Sequence, residues 1–352
     1  MSVKTTRAPR LPLPGDCTFA PEDWQVLARF WYPVAFVEDL VPGTILKARL
    51  LDEELVVYRT TRGYSVAKDL CIHRGAPISK GWLEGDEIVC AYHGFRYAPD
   101  GQCTRVPAQP DARIPKNLCL RSFPAVDRYG MVWTCLAGEE AARIPIPDWG
   151  EFQEPDRWKH MRLEPLDWAC SASRHVENFN DVAHLSWLHT GTFGNPDAPE
   201  VRRYEVDRTR HGFHFKVRYP RRAVEARGEN DLSAVEDIVL QYDHQLPFYT
   251  RLTIHFPDGT HYIGYDLPVP TSRTTTRVFY RMARDFDLDG PADYSVEMQK
   301  AVLEEDRPVV EAQRPEELPL DLSEEFHIAA DRFSAQYRRA LKNLGLGQPF
   351  SS

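Results

Sequence analysis

The chain has 352 residues, 42% of them hydrophobic and 27% charged, with a formal net charge of -9; this is the composition of folded globular domains and excludes disordered and fibrous classes. Its acids are dispersed among arginines without blocks of like charge, so a nucleic-acid-binding surface has no support. The longest apolar run, FWYPVAF from Phe30, is seven residues long and carries a proline, whereas a bilayer span needs about 18–20; with no apolar secretory core near the N-terminus, no membrane partner is expected and the cytoplasm is the expected compartment.

Residues 1–27 read as a proline-rich arm that ends in a short helix at PEDWQVL, from Pro21. From residue 28 to about 140 the texture is that of a small antiparallel β domain. Segments such as ILKARL, ELVVYRT, YSVA, EIVCAY and MVWTCL are short, β-branched or aromatic, and separated by Gly, Asp and Pro turns; Pro99-Asp100-Gly101 supplies a hairpin. Residues 141–155 are proline-rich and polar, a linker. In the second domain, 156–352, a helical stretch near 172–188 precedes strands around 201–218, 236–243, 249–256, 260–267 and 274–284, and the chain closes with helices at about 293–313 and 324–344. That order predicts an antiparallel sheet packed on helices, an α+β fold.

Seven cysteines without export signals argue against a disulfide framework. Only Cys71 and Cys90 have histidines at ligand spacing, as Cys71-x-His73 and Cys90-x2-His93. Gly75 and Gly94 follow each pair, where a loop must bend closely around a bound group, and Trp82 and Tyr92 lie near enough in sequence to shield it. Zinc is the obvious alternative for two cysteines and two histidines, but its usual arrangement groups Cys with Cys and His with His. Here each half-site contributes one of each, which suits a two-iron cluster with two cysteines on one iron and two histidines on the other.

Downstream, Asn178, Asp181 and His184 fall at three-residue intervals and would line one face of a helix. His189, five residues on, is about 140° around from His184, so the helix must distort or finish before it. Two neutral histidines and one carboxylate on one face of an iron, with open positions opposite, is the arrangement of non-heme Fe(II) oxygenases. The acid is either Asp181, which local proximity favours, or one of the distant acids in VLEEDRPVVEAQRP from Val302, namely Glu304, Glu305, Asp306 and Glu311.

The first motif, within HRGAPISKG and AYHGFRY, resembles the [2Fe–2S] site of a Rieske domain. The second, with the distant acid before RPVVEAQ, resembles the mononuclear iron motif of Rieske non-heme iron oxygenases. That resemblance implies a cluster on Cys71, His73, Cys90 and His93, and Fe(II) on His184, His189 and Asp306, in a catalytic domain of the helix-grip type. It makes Asp181 a hydrogen-bonded bridge between His184 and His93 of a neighbouring subunit, in a head-to-tail homotrimer. Asn178 is expected in the pocket near the iron, and Glu304 and Glu305 are expected to face solvent. His175, His211, His214, His244, His255 and His261 are expected to be surface or core histidines, although His255 and Tyr262 are weak candidates for the substrate cavity.

No dinucleotide-binding GxGxxG and no second ferredoxin-type cysteine pattern is present. NAD(P)H is therefore expected to act only through a separate reductase, with or without a ferredoxin. VPAQPDARIPK, RYGMVW and ADRFSAQYRRALK resemble purine-alkaloid N-demethylases and related monooxygenases. The resemblance implies O2-dependent N- or O-demethylation of a small aromatic or heteroaromatic compound. Ring or C–H hydroxylation, including cis-dihydroxylation, is the alternative within enzymes, and a Rieske electron carrier the alternative outside them.

Overall fold

The computed structural model describes residues 10–222 and 235–347. The chain divides into two compact units, Met1–Pro145 and Ile146–Ser352. The first nine residues of the expected arm and the last five of the expected second domain lie outside the described residues.

The first unit opens with the helix Pro21–Leu27 (α1) and continues with eleven short strands: Tyr32–Phe36 (β1), Ile45–Leu50 (β2), Glu53–Thr60 (β3), Gly63–Lys68 (β4), Trp82–Glu84 (β5), Glu87–Val89 (β6), Arg96–Tyr97 (β7), Cys103–Arg105 (β8), Ser122–Phe123 (β9), Val126–Arg128 (β10) and Met131–Thr134 (β11). They form three antiparallel sheets, ordered β1-β11-β10, β2-β3-β4-β9 and β5-β6-β7-β8. The apolar run from Phe30 is wholly buried through β1, which accounts for its composition without a membrane. Val56, Tyr58, Ile78, Ile88, Tyr97 and Leu120 form one core with Cys71 and Cys90. The expected hairpin at Pro99-Asp100-Gly101 joins β7 to β8, and Gly101 takes φ +90° there.

The second unit contains Lys159–Arg162 (β12), Leu166–Trp168 (β13), Ala172–Asn180 (α2), Leu185–Leu188 (α3), Val206–Arg208 (β14), Gly212–Arg222 (β15), Val235–Gln245 (β16), Tyr249–His255 (β17), His261–Ser272 (β18), Thr275–Arg284 (β19), Asp293–Ala312 (α4) and Arg332–Leu344 (α5). The strands form an eight-stranded antiparallel sheet ordered β12-β19-β18-β17-β16-β15-β14, with β13 also paired to β19. Along β16 alternate residues are buried, Ile238, Leu240, Tyr242 and His244 among them, as expected where one face meets the core. Leu303 and Val310 of α4 pack with Met161, Trp168, Tyr280 and Met282, so α4 covers that face. The α+β expectation with an antiparallel sheet flanked by helices holds.

Two boundaries differ from the sequence reading. The helix expected near 172–188 breaks at Asp181, which is extended (φ -79°, ψ 139°). Its carboxylate accepts the backbone N–H groups of Ala183 and His184 at 2.9 and 3.0 Å, a local competitor to helical hydrogen bonding. The last helix starts at Arg332 rather than near 324. Glu325 is instead drawn inward by Arg174, 2.7 Å away, and by Arg338, and two buried guanidiniums outweigh helix propensity there. Among the described residues no helix is long and apolar enough to cross a membrane, and the seven cysteines are free thiols.

Candidate metal centres and cavity

In the first unit, the loops after β4 and after β6 are built alike. Gly75 N–H donates to the Cys71 carbonyl and Gly94 N–H to the Cys90 carbonyl, each at 2.9 Å; Cys71 N–H reaches back to Ala76 O and Cys90 N–H to Phe95 O. Gly75 and Gly94 have φ of +71° and +69°, the left-handed region in which a β-carbon is strained. Both cysteines are buried, and the rings of His73 and His93 lie 4.6 Å apart at the protein surface. The Nδ1 of His73 is buried and has no hydrogen-bond partner, as a ligand atom would be. Burial pushes the Cys90 thiol up, with Cys71 beside it adding to the effect; the Cys90 thiolate is therefore favoured by a bound cation. The donor set fits a histidine-ligated two-iron cluster.

A contact absent from the sequence reading lies behind this site. The Tyr97 hydroxyl is 3.2 Å from Cys71 Sγ, and burial raises the phenol's pKa, so it stays protonated and able to donate. Tyr92 and Trp82 are exposed, at 64% and 47%, and the Tyr92 ring lies 3.8 Å from that of His93. With Leu70 and Ile72, also exposed, they form an apolar rim around the two loops.

In the second unit, His184 and His189 flank α3, and Asp306 projects from the middle of α4. Their ligand atoms lie within 4.8 Å of one another. The two Nε2 atoms are 3.2 Å apart, and each is 3.4 Å from Asp306 Oδ1. That oxygen is buried without a hydrogen-bond partner. A buried acceptor left unpaired is costly, and its position between two imidazoles fits a divalent cation held by two histidines and a carboxylate. Burial holds the His189 pKa below the ordinary imidazole range, which keeps the ring neutral as metal binding requires.

Each imidazole is oriented from behind. His184 Nδ1 meets Asp181 Oδ2 at 3.1 Å, and His189 Nδ1 meets Glu305 Oε2 at 2.8 Å. The expectation that Glu305 faces solvent is therefore corrected: its carboxylate also accepts from Thr192 Oγ1 at 2.8 Å. Sequence spacing carries no signal for this, because Glu305 and Asp306 are adjacent and only the approach of α3 to α4 lets both point at one site. The two imidazoles thus each have a carboxylate partner on the far nitrogen, which fixes ring orientation.

The triad forms one end of a cavity of about 160 Å³ between the sheet and α4. Its walls are Phe179, Leu240, Phe256, Tyr262, Met298 and Leu303 with their neighbours. Tyr262 lines it; His255 does not, its Nε2 being 3.1 Å from Gln241. Asn178 does not reach this cavity. It lies with Asp181, Arg174 and His327 in a separate polar cleft on the other side of His184, because the break at Asp181 turns the chain between Asn178 and His184. His175 is a core residue, its Nε2 2.9 Å from the buried Asp266 carboxylate.

Residues 30–124 match the Rieske [2Fe-2S] domain family, and residues 168–346 match the Vanillate O-demethylase oxygenase C-terminal domain family. The chain belongs to the Rieske terminal oxygenases, O2-dependent enzymes that use a [2Fe–2S] cluster and a mononuclear iron. Among its relatives are Methylxanthine N1-demethylase of Pseudomonas putida, 30% identical over 92% of this chain and 90% of the relative, and the iron-sulfur subunit of the toluene-4-sulfonate monooxygenase system of Comamonas testosteroni, 28% identical over 80% and 86%. The solved structure of the Pseudomonas putida methylxanthine demethylase NdmA with caffeine superposes with a TM-score of 0.81 over 91% of this chain and 92% of that one, at 29% identity. Membership of this family rejects the electron-carrier alternative.

Proposed function

We propose that this chain is the terminal oxygenase of a demethylating system, oxidising an N- or O-methyl group on a small aromatic or heteroaromatic compound. The observation that carries the reading is an aromatic-walled cavity that ends at the His184, His189 and Asp306 triad. In this reading Cys71, His73, Cys90 and His93 hold the cluster, and those three residues hold the iron.

When bound, the iron supplies O2-activating redox chemistry fed by single electrons from the cluster. The chain's own residues do the rest. Phe179, Tyr262, Leu303 and their neighbours exclude water and press a flat ring against the walls, so that a methyl group is presented toward the triad. Asp181 accepts a hydrogen from His184 Nδ1 while its carboxylate borders the polar cleft. That position gives it the part of a bridge to the electron donor. A hydroxylated N- or O-methyl group is a hemiaminal or hemiacetal. Its C–N or C–O bond breaks to release formaldehyde, with one oxygen atom of O2 in the aldehyde and the other in water.

The donor in this reading is a cluster in a neighbouring subunit of a head-to-tail homotrimer in the cytoplasm, recharged by a separate reductase, with or without a ferredoxin. Two faces support it, each within its own unit. One is the exposed apolar rim around Ile72 and Tyr92. The other is the cleft beside Asp181, near which Trp187, Val309 and Phe326 are exposed. A heterologous pair of faces closes into a ring when the rotation allows.

Formaldehyde should appear stoichiometrically with O2 consumed on methylated aromatics supplied with a surrogate reductase. Hydroxylated product without formaldehyde would overturn demethylation in favour of ring or C–H hydroxylation.

A further inference from the structure

The cavity is charge-compensated at the end away from the triad, and this decides which substrates it can hold. Along α4 the lining residues run from Asp306 back to Tyr294; twelve residues at the helical rise set these ends about 18 Å apart along the axis. Among the described lining residues the only lysine or arginine is Arg221, at the end of β15. Its guanidinium packs on Phe256, whose ring lies 5.7 Å from that of Phe286, and Phe286 in turn meets Arg284, which donates to Ser295 beside Tyr294; these contacts place Arg221 at the far end. Arg221 faces Glu236 across the β15–β16 register. Its Nε donates to Glu236 Oε1 at 2.6 Å and its Nη2 reaches the same oxygen, while the guanidinium lies 4.8 Å over the Phe256 ring. The cation is spoken for on its edge and on its face.

A second guanidinium, Arg284, stands behind the wall. It is fully buried, donates to the lining Ser295 hydroxyl at 3.0 Å, and is paired with the Asp287 carboxylate at 3.1 Å and with the carbonyls of Asp287, Gly290 and Pro291. Its charge too is met by a carboxylate. The remaining polar groups of the wall, on Tyr242, Tyr262, Tyr280, Tyr294, Ser295 and Gln299, are neutral donors and acceptors; burial keeps the four phenols protonated. An aromatic carboxylate or sulfonate bound with its methyl end at the triad would bring its anion to a region with no uncompensated cation among the described residues. It would lose its hydration without gaining a charge-assisted bidentate partner, which is strongly unfavourable.

Building on the demethylase reading above, we propose that the site selects uncharged methylated aromatic or heteroaromatic compounds and rejects aromatic carboxylates and sulfonates, with the Arg221–Glu236 pair as the element that withholds a cation from them. Glu236 is thus a specificity determinant that need not touch substrate. The contrast is with a relative named for a sulfonate, so the discrimination lies within the family's range.

The test is equilibrium binding to the cluster- and iron-loaded protein by calorimetry under anaerobic conditions, with probe pairs of equal shape and different charge. 4-Methoxybenzamide should bind at least about 10-fold more tightly than 4-methoxybenzoate, about 1.4 kcal/mol, and caffeine more tightly than toluene-4-sulfonate. Glu236→Gln should close the gap by tightening the benzoate about 10-fold, and the double variant Glu236→Gln/Arg221→Gln should reopen it. Benzoate binding as tightly as benzamide in the native protein, toluene-4-sulfonate outbinding caffeine, or a gap untouched by Glu236→Gln in a folded, metal-replete variant would each overturn the proposal. The native comparison needs no variant to fold. Because binding is read without turnover, a failure here is distinct from a failure to release formaldehyde.

Discussion

At the scale of single residues, the triad's arrangement makes the three ligands unequal in what their loss reveals. Asp306→Ala removes the only anionic ligand, and the expected outcome is loss of the mononuclear iron with the cluster's absorbance retained; iron analysis falling from three to two per chain checks this, and retained turnover would contradict it. Asp181→Asn keeps both centres loaded, because the side chain sits behind His184, but slows electron arrival; rapid-mixing decay of the reduced cluster measures it, and loss of the iron instead would mean the ligand is misassigned. Glu305→Ala frees His189 to rotate, and a loss of about 10–100-fold in iron affinity is expected, read by competition with a chelator, with Glu305→Gln restoring part of it. In the first unit, the Tyr97 hydroxyl donates toward a Cys71 sulfur whose negative charge increases on reduction. Tyr97→Phe should therefore lower the cluster's midpoint potential by tens of millivolts, measurable by redox titration.

At the scale of elements, the site depends on a helix that stops early. Were α2 to continue through His184, Asp181 and His184 would share a helical face. The Asp181 carboxylate instead claims two backbone N–H groups, so the chain is redirected and His184 and His189 flank one short turn of helix. Gly194 closes that turn: its N–H donates to the His189 carbonyl at 2.7 Å, and a β-carbon there would stand 2.6 Å from the Leu185 carbonyl oxygen and the His189 carbonyl carbon. No flexible side chain is available to yield, so Gly194→Ala should displace the His189 segment. Iron binding and thermal stability are expected to fall together, whereas a metal-replete variant with native melting temperature would show the turn to be tolerant.

At the scale of the whole molecule, stability and assembly follow from what is buried and what is left exposed. His244 is buried among Phe213, Phe333 and Tyr337 with one hydrogen bond, Nδ1 to Thr250 Oγ1 at 3.0 Å, and burial depresses its pKa to about 3. The unfolded chain, with an imidazole pKa of about 6.5, takes up the proton first. The neutral ring's contribution is therefore complete above about pH 6.5 and is lost as pH falls toward 3, on the order of 5 kcal/mol. Urea midpoints should drop across that window, and His244→Phe should flatten the drop when measured in the same buffers. In the proposed homotrimer the exposed Trp187 belongs to the subunit contact beside Asp181, and Trp187→Arg should shift sedimentation from trimer toward monomer while both metal centres remain loaded.

The sequence by itself determined the chemistry. Ligand types at fixed local spacing, Cys71 with His73, Cys90 with His93 and His184 with His189, are legible because each pair sits on one short loop or turn. The period-two strands are equally legible, because alternation along a chain records which face is buried. Only the tertiary structure decided the rest, because those groups meet across the fold. Spacing alone left the acid open between Asp181 and the distant acids from Glu304 to Glu311; the approach of α3 to α4 puts Asp306 beside both imidazoles and turns Glu305 from an expected surface acid into the partner of His189. The break at Asp181 sends Asn178 to a polar cleft rather than the cavity. The pairing of Arg221 with Glu236, fifteen residues apart in sequence, exists only through strand register, and it is this cross-strand contact that sets the charge a substrate meets.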